Sequence, residues 1–171
     1  MKNNRFIHIA LGALLLLTAS CKDEKSLSDQ LAMSVYMTEM PNGQSPQSFT
    51  KITETASDST LYFIVCIENR SNNLLTLPSM AKLFGNGAVY DSSGALVCQL
   101  ISLTLTSTIY YNSPVSLSAG ESITKDYYWD PCIREKFGDS LLKPGKYTVK
   151  IGVDLGEGEG VHILRTGFVV K

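Results

Sequence analysis

From about residue 31 onward the chain alternates apolar and polar positions, and it never holds a long helical period. Leu31–Glu39 predicts a first strand, with Met33, Val35 and Met37 on one face. Pro41-Asn-Gly-Gln-Ser-Pro46 reads as a loop, and residues 48–55 alternate weakly around Phe49 and Ile52. Residues 61–67 form the strongest segment: Leu61, Phe63, Val65 and Ile67 occupy one face, while Tyr62, Ile64 and Cys66 make the other apolar as well. A short β-branched and aromatic run that is apolar on both faces predicts a central, covered strand. Residues 74–90 read as irregular, because Pro78, Gly85 and Gly87 interrupt them. Asp91-Ser-Ser-Gly94 is a turn with Gly94 supplying a positive φ, and it joins 88–90 to 95–100 as a hairpin.

Clean alternation follows from Ile101, with Leu103, Leu105, Ile109 and Tyr111 expected inward and Ser102, Thr104, Thr106, Thr108 and Tyr110 outward. After the turn Ser118-Ala-Gly-Glu121, residues 122–129 place Ile123, Tyr127 and Trp129 on one face together with Lys125. Pro131 ends that strand, since it lacks a donor and restricts Asp130. A short helical turn is expected within 133–142, and Lys143-Pro-Gly145 opens a last hairpin in which Tyr147, Val149, Ile151, Val153 and Leu155 point in. About eight or nine short strands without a helical repeat predict an all-β fold, an immunoglobulin-like antiparallel β-sandwich.

The first twenty residues obey a different rule. Lys2 and Arg5 precede an apolar run of eleven residues, 7–17. That is too short for a membrane-spanning helix, which needs about 20. Thr18, Ala19 and Ser20 lead to Cys21, and Leu17-Thr-Ala-Ser-Cys21 resembles the lipobox of bacterial lipoproteins. The resemblance implies cleavage before Cys21 and a lipid on its thiol, hence membrane attachment. The next residues, Lys22-Asp-Glu-Lys25, are similar to the surface-export signal of lipoproteins in Bacteroidota-type bacteria. Beside Ser26, Ser28 and Asp29 they equally suit a solvated tether. The expected organisation is a signal peptide over 1–20, a tether over 21–30 and one sandwich over 31–171. The expected location is the cell envelope as an outer-membrane lipoprotein, surface-exposed if the export signal operates.

Charge narrows the partners. With Lys2 and Arg5 removed, thirteen basic face sixteen acidic side chains, a formal charge of −3 without clustering. Nothing in that balance favours nucleic acid or a polybasic membrane patch, so the membrane contact is expected through lipid alone. Lipidation of Cys21 leaves Cys66, Cys98 and Cys132, an odd number without C-x-x-C spacing. Cys66 reads as a small hydrophobe of the central strand. Cys98 and Cys132 lie near strand ends, and their pairing as a disulfide would contribute about 3–4 kcal/mol in the loop-entropy model.

A family resemblance follows from landmarks in one order: Glu68-Asn-Arg-Ser71 after the central strand, Val89-Tyr-Asp-Ser-Ser-Gly94, Leu117-Ser-Ala-Gly-Glu121, Trp129-Asp130 and Leu142-Lys-Pro-Gly-Lys-Tyr-Thr-Val149. Across about Leu31 to Lys171 the chain is similar to the BsuPI-like (intracellular proteinase inhibitor) domain. That resemblance implies an immunoglobulin-like sandwich and, by name, protease inhibition, but no inhibitory loop motif carries the activity over.

Catalysis has little to stand on. His162 is the one histidine of the mature chain, and no G-x-S-x-G nucleophile motif accompanies it. Asp154, Glu157 and Glu159 cluster on the last hairpin, yet the loop lacks the spacing of a calcium site and reads as solvated, so no metal or cofactor is expected. The aromatic pairs Tyr110-Tyr111 and Tyr127-Tyr128 each send one ring outward, which makes Tyr110 and Tyr128 the candidate ligand contacts. The expected function is a lipid-anchored binding or scaffold module without catalysis, touching an envelope protein or glycan. A BsuPI-like protease inhibitor and a glycan-binding surface module are the alternatives.

Overall fold

A computed structural model describes residues 25–39, 51–102, 111–130 and 141–171. Cys21, the signal segment, Tyr110 and Cys132 lie outside these residues, as do most of the hydroxyl row 102–110 and the helical turn expected near 133–142.

The fold is an all-β, immunoglobulin-like sandwich. One sheet orders β1 (Leu31–Glu39), β3 (Leu61–Asn69), β9 (Ser122–Trp129) and β7 (Ile101–Ser102). The other orders β2 (Glu54–Thr55), β11 (Val161–Val170), β10 (Gly145–Asp154), β5 (Phe84–Asp91) and β6 (Leu96–Gln99). A two-stranded ribbon of β4 (Leu75–Ser79) and β8 (Pro114–Leu117) closes one end with Leu75, Leu77 and Leu117 buried. The predicted alternation fills the space between the sheets. Val35, Met37, Leu61, Phe63, Val65, Tyr127 and Trp129 from the first sheet meet Val89, Val149, Ile151, Val153, Phe168 and Val170 from the second. β3 pairs with β1 and β9, so it is central as its doubly apolar sequence requires.

Both lateral edges of the sandwich are joined. On one side the chain crosses from β6 in the second sheet to β7 in the first at Leu100, whose N–H donates to Gly87 O at 2.8 Å. On the other side residues 52–55 bind both sheets. Ile52 N–H donates to Met37 O at 2.9 Å, while Val169 and Lys171 donate to Thr53 O and Thr55 O, each at 2.9 Å. β2 runs parallel to β11, the one departure from antiparallel pairing among the described strands. An ion pair between Lys171 and Glu54 lies beside it. These bonds occupy backbone groups that would otherwise template pairing with another chain.

Three local expectations change. Residues 74–90 are ordered as β4, a helical turn α2 (Met80–Leu83) and β5. Pro78 sits where the β4–β8 register shifts, so its missing donor interrupts no ladder bond. Gly87 faces the core, where a Cβ would lie only 3.0 Å from Leu100 Cδ1, 3.1 Å from Ile151 Cγ1 and 3.2 Å from Tyr127 Cδ1. The glycine marks close packing rather than a break. Tyr111, expected on an inward strand face, is helical together with Asn112, and its ring lies 5.5 Å from the Lys125 ammonium. Leu27–Gln30, inside the expected tether, form a helical turn α1.

Buried polar groups hold the ends. Asn69, fully buried at the end of β3, donates from Nδ2 to Asn73 O (2.7 Å) and Leu117 O (2.9 Å) and accepts at Oδ1 from Ser71 N–H (2.9 Å) and Oγ–H (2.8 Å). Its side chain thereby fastens the β3–β4 turn to β8. Tyr127 crosses the sandwich and donates its hydroxyl to Gly85 O at 2.6 Å. Burial pushes that phenol well above its ordinary pKa, because an ionised oxygen there would lose hydration and its donor role.

Candidate functional site

The outer face of the four-stranded sheet carries the sequence candidate Tyr128. It is half-buried and stacks on its cross-strand neighbour Tyr62, centroids 6.3 Å apart and planes 25° from parallel. Ile64 on the same face is only 2% exposed, and burial raises the pKa of Tyr36, Tyr62, Cys66 and Asp126 around it. Tyr128 is therefore one of a stacked, half-buried tyrosine pair on this face. Cys66 is a half-buried free thiol whose raised pKa leaves little thiolate. Cys98 is half-buried opposite Val89, and its expected partner Cys132 falls outside the described residues.

The acidic hairpin loop has a structural use. Glu159 accepts hydrogen bonds from the N–H groups of Leu27 and Ser28, which caps α1 and docks the chain entering the sandwich. The Leu27 N–H bond is the main reason the Glu159 carboxyl sits below its usual range. Asp154 accepts from Gly156 N–H at 2.9 Å, and Glu157 is exposed. No group of three metal-ligating side chains converges among the described residues. His162 is half-buried near the start of β11, and its Nε2 is buried without a hydrogen-bond partner.

A concavity lies on the outer face of the five-stranded sheet, and none of the site candidates drawn from the sequence lines it. It is an open cleft of about 340 Å³ with contributions from β5, β6, β10 and β11. Ala88 leaves the floor low. Leu96 and Ile163, 56% and 50% exposed, rise on opposite sides, and Asn86 and Gln99 add amides. Val161 and Ile163 lean over Gly152, where a Cβ would lie 3.3 Å from Val161 Cγ1.

Two cations occupy one part of this cleft. Lys150 and Arg165 are direct partners in the β10–β11 register, so like charges stand opposite each other on one face. Among the described residues neither has a carboxylate partner; the ion pairs there join Arg70 to Glu68 and Lys171 to Glu54. The Lys150 ammonium is 4.0 Å from the centroid of the Tyr90 ring, which fixes its position by a cation–π contact. Opposed like charges destabilise a strand pair, so the arrangement favours an anion between them. The sequence did contain a signal for this pair. Lys150 and Arg165 are each four residues from the last pair, Asp154 and Val161, of the hairpin, and that equal distance sets them face to face.

No family model and no curated protein matches the chain. Among solved structures it is similar to a structural-genomics target, SoR45, at 9% identity and TM-score 0.38, covering 85% of this chain and 86% of that one. It is similar to a β-glucosidase from Listeria innocua in complex with isofagomine at 16% identity and TM-score 0.35, with 82% of this chain covered but only 16% of the enzyme. A protein from Archaeoglobus fulgidus aligns at 12% identity and TM-score 0.34, covering 82% of this chain and 96% of that one. Likenesses this remote carry no argument about function.

Proposed function

We propose that the chain is a lipid-anchored binding module of the cell envelope that holds an anionic ligand on its five-stranded sheet and performs no chemistry on it. The observation that carries this reading is the Lys150–Arg165 pair, like charges placed opposite each other in the β10–β11 register. Such a pair gains its stabilising partner only on binding. The lipobox-like Cys21 supports the anchored location, and the docking of α1 by Glu159 supports a defined attachment to the domain. The protease-inhibitor alternative asks for a long projecting loop. The described turns at Asp91–Gly94, Ser118–Glu121 and Gly156–Gly160 are short and internally hydrogen-bonded.

The test is made on the full chain expressed in a bacterium grown with an alkynyl fatty acid. Wild type is expected to take up the label and sediment with membranes, while Cys21→Ser stays unlabelled and is released. A labelled Cys21→Ser protein would refute the anchor. Purified wild type is further expected to retain envelope extract components that Arg165→Glu releases; equal retention by both would refute the cleft as the binding surface.

A further inference from the structure

We infer that the cleft recognises an acidic saccharide, a sugar ring carrying a carboxylate, with Lys150 and Arg165 holding the acid group. This deepens the binding-module reading and rests on it. The cleft divides by chemistry in a way that fits such a ligand. At Lys150 and Arg165 two cations stand opposite each other on neighbouring strands, with no carboxylate among the described residues paired to either. A guanidinium presents a planar fork that matches a carboxylate, and the ammonium adds a point charge whose position the Tyr90 ring fixes.

Elsewhere the lining is neutral. Asn86 and Gln99 bring both donors and acceptors, which suits hydroxyl groups rather than a second anion. Between Gln99 and Lys150, Ala88 forms a low floor, with Leu96 and Ile163 on either side. That leaves room for the C–H face of a sugar ring against apolar carbon. A cleft of about 340 Å³ lies at the small end of the range for small-molecule sites, roughly 300–1,000 Å³. A simple inorganic anion would use the cations and leave the amides and apolar flanks without a role. A flat membrane surface would not enter a concavity.

Calorimetric titration of the full chain decides the matter with four probes: tetragalacturonate, its neutral methyl ester, inorganic phosphate, and phosphatidylglycerol vesicles. Tetragalacturonate is expected to bind at least about tenfold more tightly than the ester, as loss of a charge-assisted pair implies. Arg165→Glu should lose at least about tenfold, and Arg165→Lys, which keeps the charge but not the planar fork, should lose less than Arg165→Glu. Arg165→Glu leaves the Lys150–Tyr90 contact in place and sets opposite charges across the strands, so its thermal midpoint should not fall. Phosphate binding as tight as tetragalacturonate overturns the proposal for a simple-anion site, and preferential vesicle binding overturns it for a lipid headgroup. Equal affinity for acid and ester overturns the role of the cations. Failure of all four probes overturns the saccharide assignment, while the envelope-retention comparison of wild type with Arg165→Glu decides separately whether the cleft binds at all.

Discussion

Replacement of Asn69 tests how the sandwich end is held. In Asn69→Ala four side-chain hydrogen bonds are lost. They do not count equally. Asn73 is exposed and Ser71 half-buried, so water replaces the amide there at modest cost. Leu117 is fully buried, and its carbonyl loses the Nδ2 donor with little access to water. A stranded buried acceptor costs about 1–3 kcal/mol and an exchanged hydrogen bond about 0.5–1.5 kcal/mol, which puts Asn69→Ala at about 2–4 kcal/mol of lost stability. Urea unfolding followed by the fluorescence of Trp129, the one tryptophan and 1% exposed, reads this directly.

Asn69→Asp sharpens the test, because shape is kept while one donor becomes an acceptor. The bonds from Ser71 survive, but a carboxylate oxygen now faces two carbonyl oxygens where Nδ2 stood at 2.7 and 2.9 Å. Burial and these oxygens disfavour the charged form, so the introduced carboxyl has a folded pKa above its unfolded value of about 3.9. The folded state then binds more protons than the unfolded one, and stability falls as pH rises between the two pKa values. The variant should approach wild type near pH 4 and lose at least about 1.4 kcal/mol more by pH 8, the equivalent of one pKa unit. A difference from wild type that stays flat across that range, or an Asn69→Ala cost under about 1 kcal/mol, would refute the assignment of Asn69 as a buried clamp.

Other perturbations test other parts of the architecture. Gly87→Ala forces a methyl against Leu100, Ile151 and Tyr127, and should cost about 1–3 kcal/mol in the same unfolding assay. Tyr127→Phe removes the bond to Gly85 O and should cost about 1–2 kcal/mol. In ultraviolet titration of wild type, Tyr127 should stay protonated at pH 10, the ordinary value of a phenol. Its folded pKa is raised, so the stability it contributes is present below about pH 10 and is lost as pH climbs towards that raised value. Glu159→Gln should speed hydrogen exchange at the Leu27 and Ser28 amides while leaving the β3 core protected. In wild type the same amides should lose protection on acidification, because the Glu159 pKa is lowered and docking persists above the ordinary carboxylate value until pH falls through it.

Much of the sandwich was legible because alternation and turn chemistry agree. β1 and β9 carry the bounds their patterns predict, Gly94 at φ 86° takes the left-handed turn assigned to it, and the turn expected at Ser118–Glu121 forms with Gly120 at φ 75°. What stayed hidden depends on contacts between distant segments. Gly85, Gly87 and Pro78 look like breaks until the backbone of Gly152, the side chain of Leu100 and the edge position of β4 are known. Alternation from Ile101 onward could not reveal that the chain changes sheets at Leu100, since a strand that switches partners keeps its period. The aromatic candidates drew the eye because exposed rings signal binding. Tyr128 instead spends its face on Tyr62, whereas the cleft arises from small residues and paired cations that composition does not mark.

The proposed anchor and the cleft bear on each other. Glu159 fixes Leu27 and Ser28 at the β10–β11 loop, so the described chain enters the sandwich at that end. The same hairpin carries the cleft: Gly152 pairs with Ile163 two residue pairs from the Asp154–Val161 end, and Lys150 with Arg165 two pairs further. At about 3.4 Å per residue, the cations stand roughly 14 Å along the strands from that end. The few residues between Cys21 and Lys25 reach at most about 3.3–3.6 Å each. If Cys21 carries a lipid, the cleft is held within a few nanometres of the bilayer, where a ligand fixed to the same envelope surface meets it at high effective concentration. Modest intrinsic affinity then suffices, which fits an open cleft with one charged contact better than an enclosed pocket would. Glu159→Gln tests this coupling: its intrinsic affinity for tetragalacturonate should match wild type, while its retention on cells should change with the freedom of the tether.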